Sequence, residues 1–465
     1  MNAGREFDAI VIGAGAPGEV CAGRLADGGL AVAIVEQHLV GGECSYYACM
    51  PSKALLRPGE LLDEARRVPG VAEATARADL NAAAVLARRD EVIHELDDSA
   101  QLPWLEERGI ELFRGQGRLE GERRVTVGDE TLTARRAIVV ATGSGAAMPP
   151  IDGLDEVGTW NNREATTARN VPESMAVLGG GPVGTELAQA WADLGTRVTL
   201  VEGEERLLPR EEPFAGEQVA DALRERHGVD VRVGTRAERV GRTDGGVGLE
   251  LSDGDRIEAA ELLVAVGRAP RTGGIGLDSA GVESSERGYL ETDDRMRVGG
   301  REWLYAVGDV NGRALLTHMG KYQAWVAAEN VLGRPVAAVA EAIGSPRVTF
   351  TDPQVSAVGK TLAEAEEDGI AARAVDVPTD GTAGASFYGR DTGGTSRLVV
   401  DTDRGVIVGA TFTGFETAEM LHAATIAITA EIPLARLRHA LAAYPTRNEI
   451  WLKLLETYEE ESRSR

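Results

Sequence analysis

The stretch Gly41–Lys53 reads GGECSYYACMPSK and sets Cys44 and Cys49 five residues apart, in a chain with one further cysteine, Cys21. Two thiols at this spacing have three chemical readings: a redox couple, a pair of unrelated buried thiols, or part of a metal site. In an ideal helix, residues five apart stand about 140° around the axis, so a bridge between them requires a distorted turn. Pro51 favours such a turn, because its ring removes an amide donor and crowds the carbonyl of Tyr47. So short a bridge would restrict the unfolded chain very little, which argues against a structural clip. Zinc asks for about four ligands, and neither a second cysteine pair nor a histidine cluster stands nearby. Spacing alone leaves all three readings open, the metal site having the fewest donors.

The elements that must position these thiols belong to a long chain. Its 465 residues exceed what one hydrophobic core can organise, so two to four domains are expected. With 43% hydrophobic residues and 57 glycines, the composition is that of a globular protein. No uninterrupted apolar run is long enough to span a bilayer. The N-terminus passes straight into a strand-like apolar run without a basic region and cleavage site, so the expected location is cytoplasmic. A net charge of −25 argues against a nucleic-acid partner, since phosphate contacts need clustered Lys and Arg.

FDAIVIGAGAPGEVCAGRLADGGLAVAIVEQ, from Phe7, reads as strand, glycine turn, helix and strand. Gly13, Gly15 and Gly18 form G-x-G-x-x-G directly after the apolar run Ala9–Ile12, and Glu36 ends the next strand. Each part has a task in dinucleotide binding. Gly13 permits the turn, Gly15 lets backbone approach a pyrophosphate, and Gly18 lets helix and strand pack closely. The helix N-terminus faces the phosphates, and Glu36 accepts from a ribose. Cys21, on that helix among small residues, reads as buried packing. The device recurs in MAVLGGGPVGTELAQAWADLGTRVTLVEGEE, where Gly179, Gly181 and Gly184 precede Glu202. From first glycine to acid is 23 residues in both copies. Two nucleotide units suggest two nucleotides, one of them a bound flavin. AIVVATGSG, LLVAVGRAP and LYAVGDVNG are further apolar strands ending in glycine, the last with Asp309 expected to stand exposed at the carboxyl edge where ligands sit.

With these motifs in this order, the chain resembles the pyridine nucleotide–disulfide oxidoreductases, the group of lipoamide dehydrogenase, glutathione reductase and mercuric reductase. The resemblance rests on the first glycine motif, C-x4-C-x-P-S-K, A-T-G, the second glycine motif, G-R-x-P, G-D and FTDPQVSAVGKT (Phe350–Thr361). It implies an α/β protein with two Rossmann-like dinucleotide-binding domains and a C-terminal α+β dimerisation domain. Residues 1–150 and 271–342 would bind FAD, 151–270 would bind NAD(P), and 343–465 would form the interface of a homodimer. In the last segment, SRLVVDTDRGVIVGATFTG carries the alternation of an antiparallel sheet, and the acidic tail after Tyr458 is expected to be solvated.

The resemblance also implies a path for electrons. NAD(P)H would bind at the second motif and reduce the flavin, which would open a Cys44–Cys49 bridge on its other face. Cys49 would lie against the flavin and Cys44 would exchange with a small-molecule acceptor. A thiol near a helix N-terminus is expected to have a lowered pKa. Lys53 would stand near the flavin ring, paired with Glu186. Gly41, Gly42, Gly117, Thr142, Gly143, Gly308, Asp309 and His318 would line the flavin, and Gly267 would border the nucleotide site. Clustered acids in VEGEERLLPR, Glu202 first, favour NADH, with NADPH as the alternative and Arg206 as partial compensation.

The chain departs from that pattern near its C-terminus. Where the disulfide reductases carry H-P-T-x-x-E, with a histidine base crossing the dimer interface, this sequence reads YPTRNE, so Tyr444 takes the histidine's place and Glu449 remains. Tyrosine has a reference pKa of roughly 10 against roughly 6.5 for histidine, and it cannot become a cation. His439 reads as an exposed helix histidine. No cysteine follows Cys49, so neither a mercuric-reductase metal relay nor a second redox pair has its thiols. Tyr46 and Tyr47 beside the thiols would suit stacking by a flat quinone, or would pack the domain. A small disulfide is therefore the first acceptor expected, with quinones and metal ions behind it. A redox-sensing flavoprotein with little turnover is the reading from another class.

Overall fold

A computed structural model describes residues 5–390 and 392–464. By internal contacts the chain divides into two compact units: Met1–Pro51, Arg89–Ala147 and Arg268–Glu341 form the first, and Ser52–Arg88, Met148–Gly267 and Ala342–Arg465 the second. The helical segment Ser52–Arg88 thus groups with the second unit, together with the nucleotide segment and the C-terminal segment.

In the first unit, Arg5–Ile12 is the centre of a parallel sheet, flanked by Val32–Glu36 and then Glu111–Arg114 on one side and by Glu130–Val140 on the other. Glu130–Val140 is long enough for two partners. Its first half pairs antiparallel with Arg124–Val127, and its last residues pair parallel with Leu304–Ala306. The parallel strands are β-branched and apolar because both faces are covered: Ile10, Val11, Ile34, Ile138 and Val139 are fully buried. Register decides what this sheet presents. Ile12 is level with Val35 and Val140, and Val140 with Ala306, so Gly13, Glu36, Ala141 and Val307 leave the sheet along one carboxyl edge. The helix Ala16–Asp27 covers one face and runs alongside Thr317–Val331, where a Cβ on Gly320 would stand 2.6 Å from Pro17 and one on Gly28 2.4 Å from Leu332. Cys21 is fully buried in that layer, as its small neighbours suggested.

The second unit repeats the scheme. Ser174–Leu178 is flanked by Val201 and its strand Arg197–Val201, then Asp230–Arg232, and on its other side by Glu261–Val264, all parallel. An antiparallel ribbon, Ala237–Thr243, Gly246–Leu251 and Arg256–Ala259, adjoins it in sequence. The C-terminal segment forms a five-stranded antiparallel sheet in the order Arg347–Thr349, Gln354–Gly359, Val406–Gly414, Thr395–Asp401, Ala372–Pro378. Helices Leu421–Thr429 and Ile450–Arg463 close its core, with Phe412 and Trp451 rings 6.0 Å apart. The tail is solvated as expected, with residues 460–464 exposed. It continues that last helix to Arg463, and Arg373 donates to the Tyr458 carbonyl and the Ser462 hydroxyl while lying 3.9 Å from the Tyr458 ring.

Buried charge ties elements of the second unit together. Asp352 accepts from Arg67 and lies 3.0 Å from Arg226, and Asp193 holds Nδ1 of the buried His227 at 2.6 Å. Burial works against protonating His227, yet the Asp193 hydrogen bond and the charges of Asp193, Asp63 and Asp352 outweigh it and raise its pKa. The protonated ring is therefore favoured in the folded state. Its contribution is full below the unfolded value of about 6.5 and fades as pH climbs through the higher folded value. Thermal unfolding of wild type and His227→Gln will accordingly show the widest gap in Tm near pH 6, narrowing steadily above pH 7. A gap that widens with pH would contradict this assignment.

Candidate active site

The distorted turn expected between the cysteines is a break between two helices. Gly42–Tyr46 forms one, Cys49–Arg67 forms the next, and the chain turns through Tyr47 (φ −134°, ψ −2°) between them. Pro51 lies in the first turn of the second helix, where no intrahelical partner awaits its missing amide. The break brings the Cys44 and Cys49 thiols into a side-chain hydrogen bond, both in the free thiol form. Thr317, opening the helix Thr317–Val331, places Oγ1 3.4 Å from Cys49 Sγ and also hydrogen-bonds Cys44.

One expectation fails here. The Cys44 thiol is pushed up, not down: its hydrogen bond with Cys49 holds the proton, and burial disfavours the thiolate, against the smaller pull of Thr317 and Lys321. The helix N-terminus does not override two thiols sharing one proton site. Tyr46 is 1% exposed with its ring 6.4 Å from that of Tyr47, and burial pushes its hydroxyl up to about 12. It is thus a packing residue rather than a stacking platform, while Tyr47 is half-buried. Glu43, beside Cys44, is held by Arg271 at 2.7 Å, and the Arg271 amide donates to the Gly143 carbonyl.

The two glycine turns are built alike. Gly13 and Gly179 have φ of 106° and 107°, and a Cβ on either would stand 2.4 or 2.5 Å from the carbonyl of Ala141 or Ala265. On Gly18 and Gly184 it would meet the first glycine's carbonyl at 1.9 and 1.8 Å. The middle glycines differ in kind: nothing lies within 3.9 Å of a Cβ on Gly15, nor within 4 Å on Gly181. Their small size answers no packing demand in this chain and leaves backbone bare at two helix N-termini. The acids repeat too. Glu36 accepts the amides of Ala14 and His38, each at 2.7 Å, and Glu202 those of Gly180 and Glu204 at 2.5 and 2.8 Å. Each carboxylate therefore braces its own turn, with further lone pairs left for a ribose.

Around the first turn, Gly41 and Gly42 have positive φ (112° and 64°), and a Cβ on Gly42 would stand 2.6 Å from Gly15 Cα. Gly267, in the second unit, has φ 148° with open space beside it, and in the first unit Gly143, at φ 70°, also faces open space. Thr142 Oγ1 is buried without a hydrogen-bond partner. These are features of a cradle for an extended dinucleotide: bare backbone, open glycines and an unsatisfied hydroxyl along the carboxyl edge. Gly117 answers packing instead, since a Cβ there would crowd Ile12 and Val35. Asp309, expected to be exposed, is half-buried behind Gly308 and accepts from Ser144, which Arg268 contacts in turn at 2.9 Å. His318 is exposed on the helix that carries Thr317.

In the second unit, Lys53 Nζ lies 2.7 Å from Glu186 Oε2 and 4.7 Å from the Phe350 ring, and the Phe350 amide donates to Glu186 Oε1 at 2.9 Å. Glu186 is 5% exposed, so its charge is supported by a cation and an amide together. Tyr444 is 77% exposed before a cis bond to Pro445, Glu449 accepts the Gly384 amide at 3.1 Å, and His439 is exposed in a turn. Sequence reasoning missed Thr317, Lys321 and Phe350. The first two flank His318 in LLTHMGKYQA, one helical turn apart, and that spacing was the available signal.

Reactivity follows from this geometry. With the reduced native protein, iodoacetamide will modify Cys44 and Cys49, which are half-buried, and spare Cys21, which is fully buried and closed to the reagent. Mass spectrometry of the peptides reads the result, and labelling of Cys21 at a comparable rate would overturn the burial argument.

Comparison with known proteins follows the same lines. Residues 7–330 match the family described as pyridine nucleotide-disulphide oxidoreductase, and residues 345–454 match its dimerisation domain. A mercuric reductase from Bacillus cereus is 32% identical over 96% of this chain and 70% of its own length. A dihydrolipoyl dehydrogenase from Haloferax volcanii is 33% identical over 96% and 95%. Among solved structures, the Cu(II) complex of the HOCl-induced flavoprotein disulfide reductase RclA from Escherichia coli superposes with a TM-score of 0.86 at 25% identity, covering 97% of this chain and 99% of that one. The chain belongs to the pyridine nucleotide–disulfide oxidoreductases, a family of flavin-dependent enzymes that bind FAD and a pyridine nucleotide, and it carries their dimerisation domain.

Proposed function

We propose that this protein is a homodimeric, FAD-dependent NADH oxidoreductase that reduces a small disulfide through Cys44 and Cys49. The observation that carries this reading is the hydrogen-bonded thiol pair at the break between Gly42–Tyr46 and Cys49–Arg67. The cradle of glycines and the unpartnered Thr142 hydroxyl support FAD at the first glycine turn. Bound there, FAD supplies the exchange of a hydride from the nicotinamide for an electron pair delivered to sulfur. The chain's own residues do the rest. Gly13, Gly18 and Glu36 fix the first turn, and Gly179, Gly184 and Glu202 fix the second. In the second unit, Lys53 and Glu186 hold a charge pair whose carboxylate is buried.

In the reduced pair, the Cys44 thiolate attacks one sulfur of the acceptor, forming a mixed disulfide and expelling the other sulfur with its electron pair. Cys49 then attacks Cys44 Sγ, closes the bridge and releases the second thiolate. One NADH and one proton are consumed for two thiols formed. Thr317, within hydrogen-bond reach of both sulfurs, orients their protons during these steps. NADH is the preferred donor, because Glu202 with Glu204 and Glu205 beside it would repel a 2′-phosphate. One observation favours a second reading, a soft metal ion as acceptor. An exposed tyrosine replaces the histidine base, and several relatives are named mercuric reductases.

Anaerobic titration tests the path. Wild type should take up two equivalents of NADH per chain and Cys49→Ser one; equal uptake would remove the cysteines from the route. In steady state, kcat/KM for NADH should exceed that for NADPH, with the margin narrowing in Glu202→Gln. A screen of low-molecular-weight disulfides, quinones and mercuric ion, run on wild type and Tyr444→His, separates the acceptors. Disulfide turnover that rises at least about tenfold in Tyr444→His would support Tyr444 at the base position. Turnover with mercuric ion alone would favour the second reading.

A further inference from the structure

The pattern this chain resembles places a histidine cation beside the exchanging sulfur, and residue 444 is tyrosine. A thiol pushed upward by its partner and by burial needs a positive charge from somewhere to react near neutral pH. Lys321 is a cation whose charge favours the Cys44 thiolate. Its position follows from the helix Thr317–Val331. Thr317 and Lys321 are four residues apart on one helix and so share a face. Thr317 is the residue that touches both sulfurs, and Lys321, itself exposed, carries a long flexible stem one helical turn further along that face. The helix cannot slide, because Gly320 is packed on Pro17 and Gly28 on Leu332.

The other charges around Cys44 come from each neighbouring element. Glu43, on its own helix, is neutralised by Arg271. Cys49 shares its proton. His318 stands exposed beyond Thr317. On the helix Ala16–Asp27, Glu19 is half-buried, and its desolvation pushes the carboxyl up to about 7, while Lys321 acts on it in the opposite sense. A carboxyl that half-ionises near neutrality thus competes with Cys44 for one ammonium group.

We propose that Lys321 supplies the positive charge that holds the Cys44 thiolate during exchange, in place of the cation that Tyr444 cannot provide, and that Glu19 opposes it. The proposal rests on the disulfide-exchange reading above. Lys321 keeps its proton throughout: the electron pair on Cys44 Sγ forms the bond to the acceptor sulfur, and the charge leaves with the departing thiolate.

The test is the pH profile of Cys44 alkylation by iodoacetamide in holoenzyme reduced with dithiothreitol and desalted, read by mass spectrometry. Lys321→Met and Lys321→Gln should raise the midpoint by about one pH unit and slow labelling about tenfold near neutrality. Lys321→Arg should restore the wild-type profile, Glu19→Gln should lower the midpoint, and Tyr444→Phe should leave it unmoved. Unchanged midpoints in both neutral variants, or equal shifts in Lys321→Arg and Lys321→Met, would overturn the proposal, as would a large shift in Tyr444→Phe. Using both neutral variants covers the case in which one fails to fold. Because the thiols are opened chemically, a failure of NADH to reduce them would sink the electron path and leave this profile readable.

Discussion

A helix that fails to continue makes the chemistry of this protein available. Had Gly42–Tyr46 run on into Cys49–Arg67, the two cysteines would have stood on different faces, about 140° apart. The turn at Tyr47 and Ala48 interrupts the helical ladder and gains a hydrogen bond between the two thiols, and Pro51 eases that exchange by having no amide to lose. The break is supported from both sides. Gly41 and Gly42 press the start of the first helix against Gly15, and Thr317 meets the sulfurs from a separate helix.

The same economy shapes the nucleotide turns. The two copies share no requirement to look alike beyond physics, yet their clashing distances agree to within 0.1 Å at the first and third glycines. Their acids reach the same two amides, one residue past the first glycine and two past the acid itself. The carboxylate is therefore part of the turn before it is part of any ribose contact. A strand, a turn and a helix N-terminus are locked by one side chain, and the open position of the middle glycine is what remains for a ligand.

This explains what was legible in the sequence and what was not. Motifs that act through backbone shape were readable, because glycine and proline announce the conformation they permit: Gly13, Gly18, Gly179, Gly184 and Pro51 all stand where their residue types demanded. Alternating and apolar runs gave the strands for the same reason, since the parallel sheets are buried on both faces. Three-dimensional neighbours were not readable. Phe350, 164 residues from Glu186, contributes a backbone amide, which no side-chain pattern advertises. Thr317 contacts sulfur across 268 residues. The direction of the Cys44 shift was misjudged because helix N-termini lower thiol pKa values in general, whereas here a second thiol within hydrogen-bond reach holds the proton more strongly. Asp309 was misjudged in a similar way, its hydroxyl partner Ser144 being remote in sequence.

Net charge adds a constraint that local motifs do not show. A protein carrying −25 surrounds any developing thiolate with repulsion, and its basic residues are largely committed to ion pairs, as Arg271 is to Glu43 and Arg67 and Arg226 are to Asp352. A cation left to serve sulfur must then sit where no carboxylate claims it fully. Partial burial of Glu19 produces that condition: a carboxyl raised to about 7 is a weak competitor below neutrality and a stronger one above it. Thiol reactivity in such a site depends on how one ammonium charge is divided between a carboxyl and a sulfur, rather than on a dedicated base. The division shifts with pH on both sides of neutrality. As pH rises Glu19 ionises ahead of Cys44, so part of the ammonium charge is already claimed when the thiolate forms.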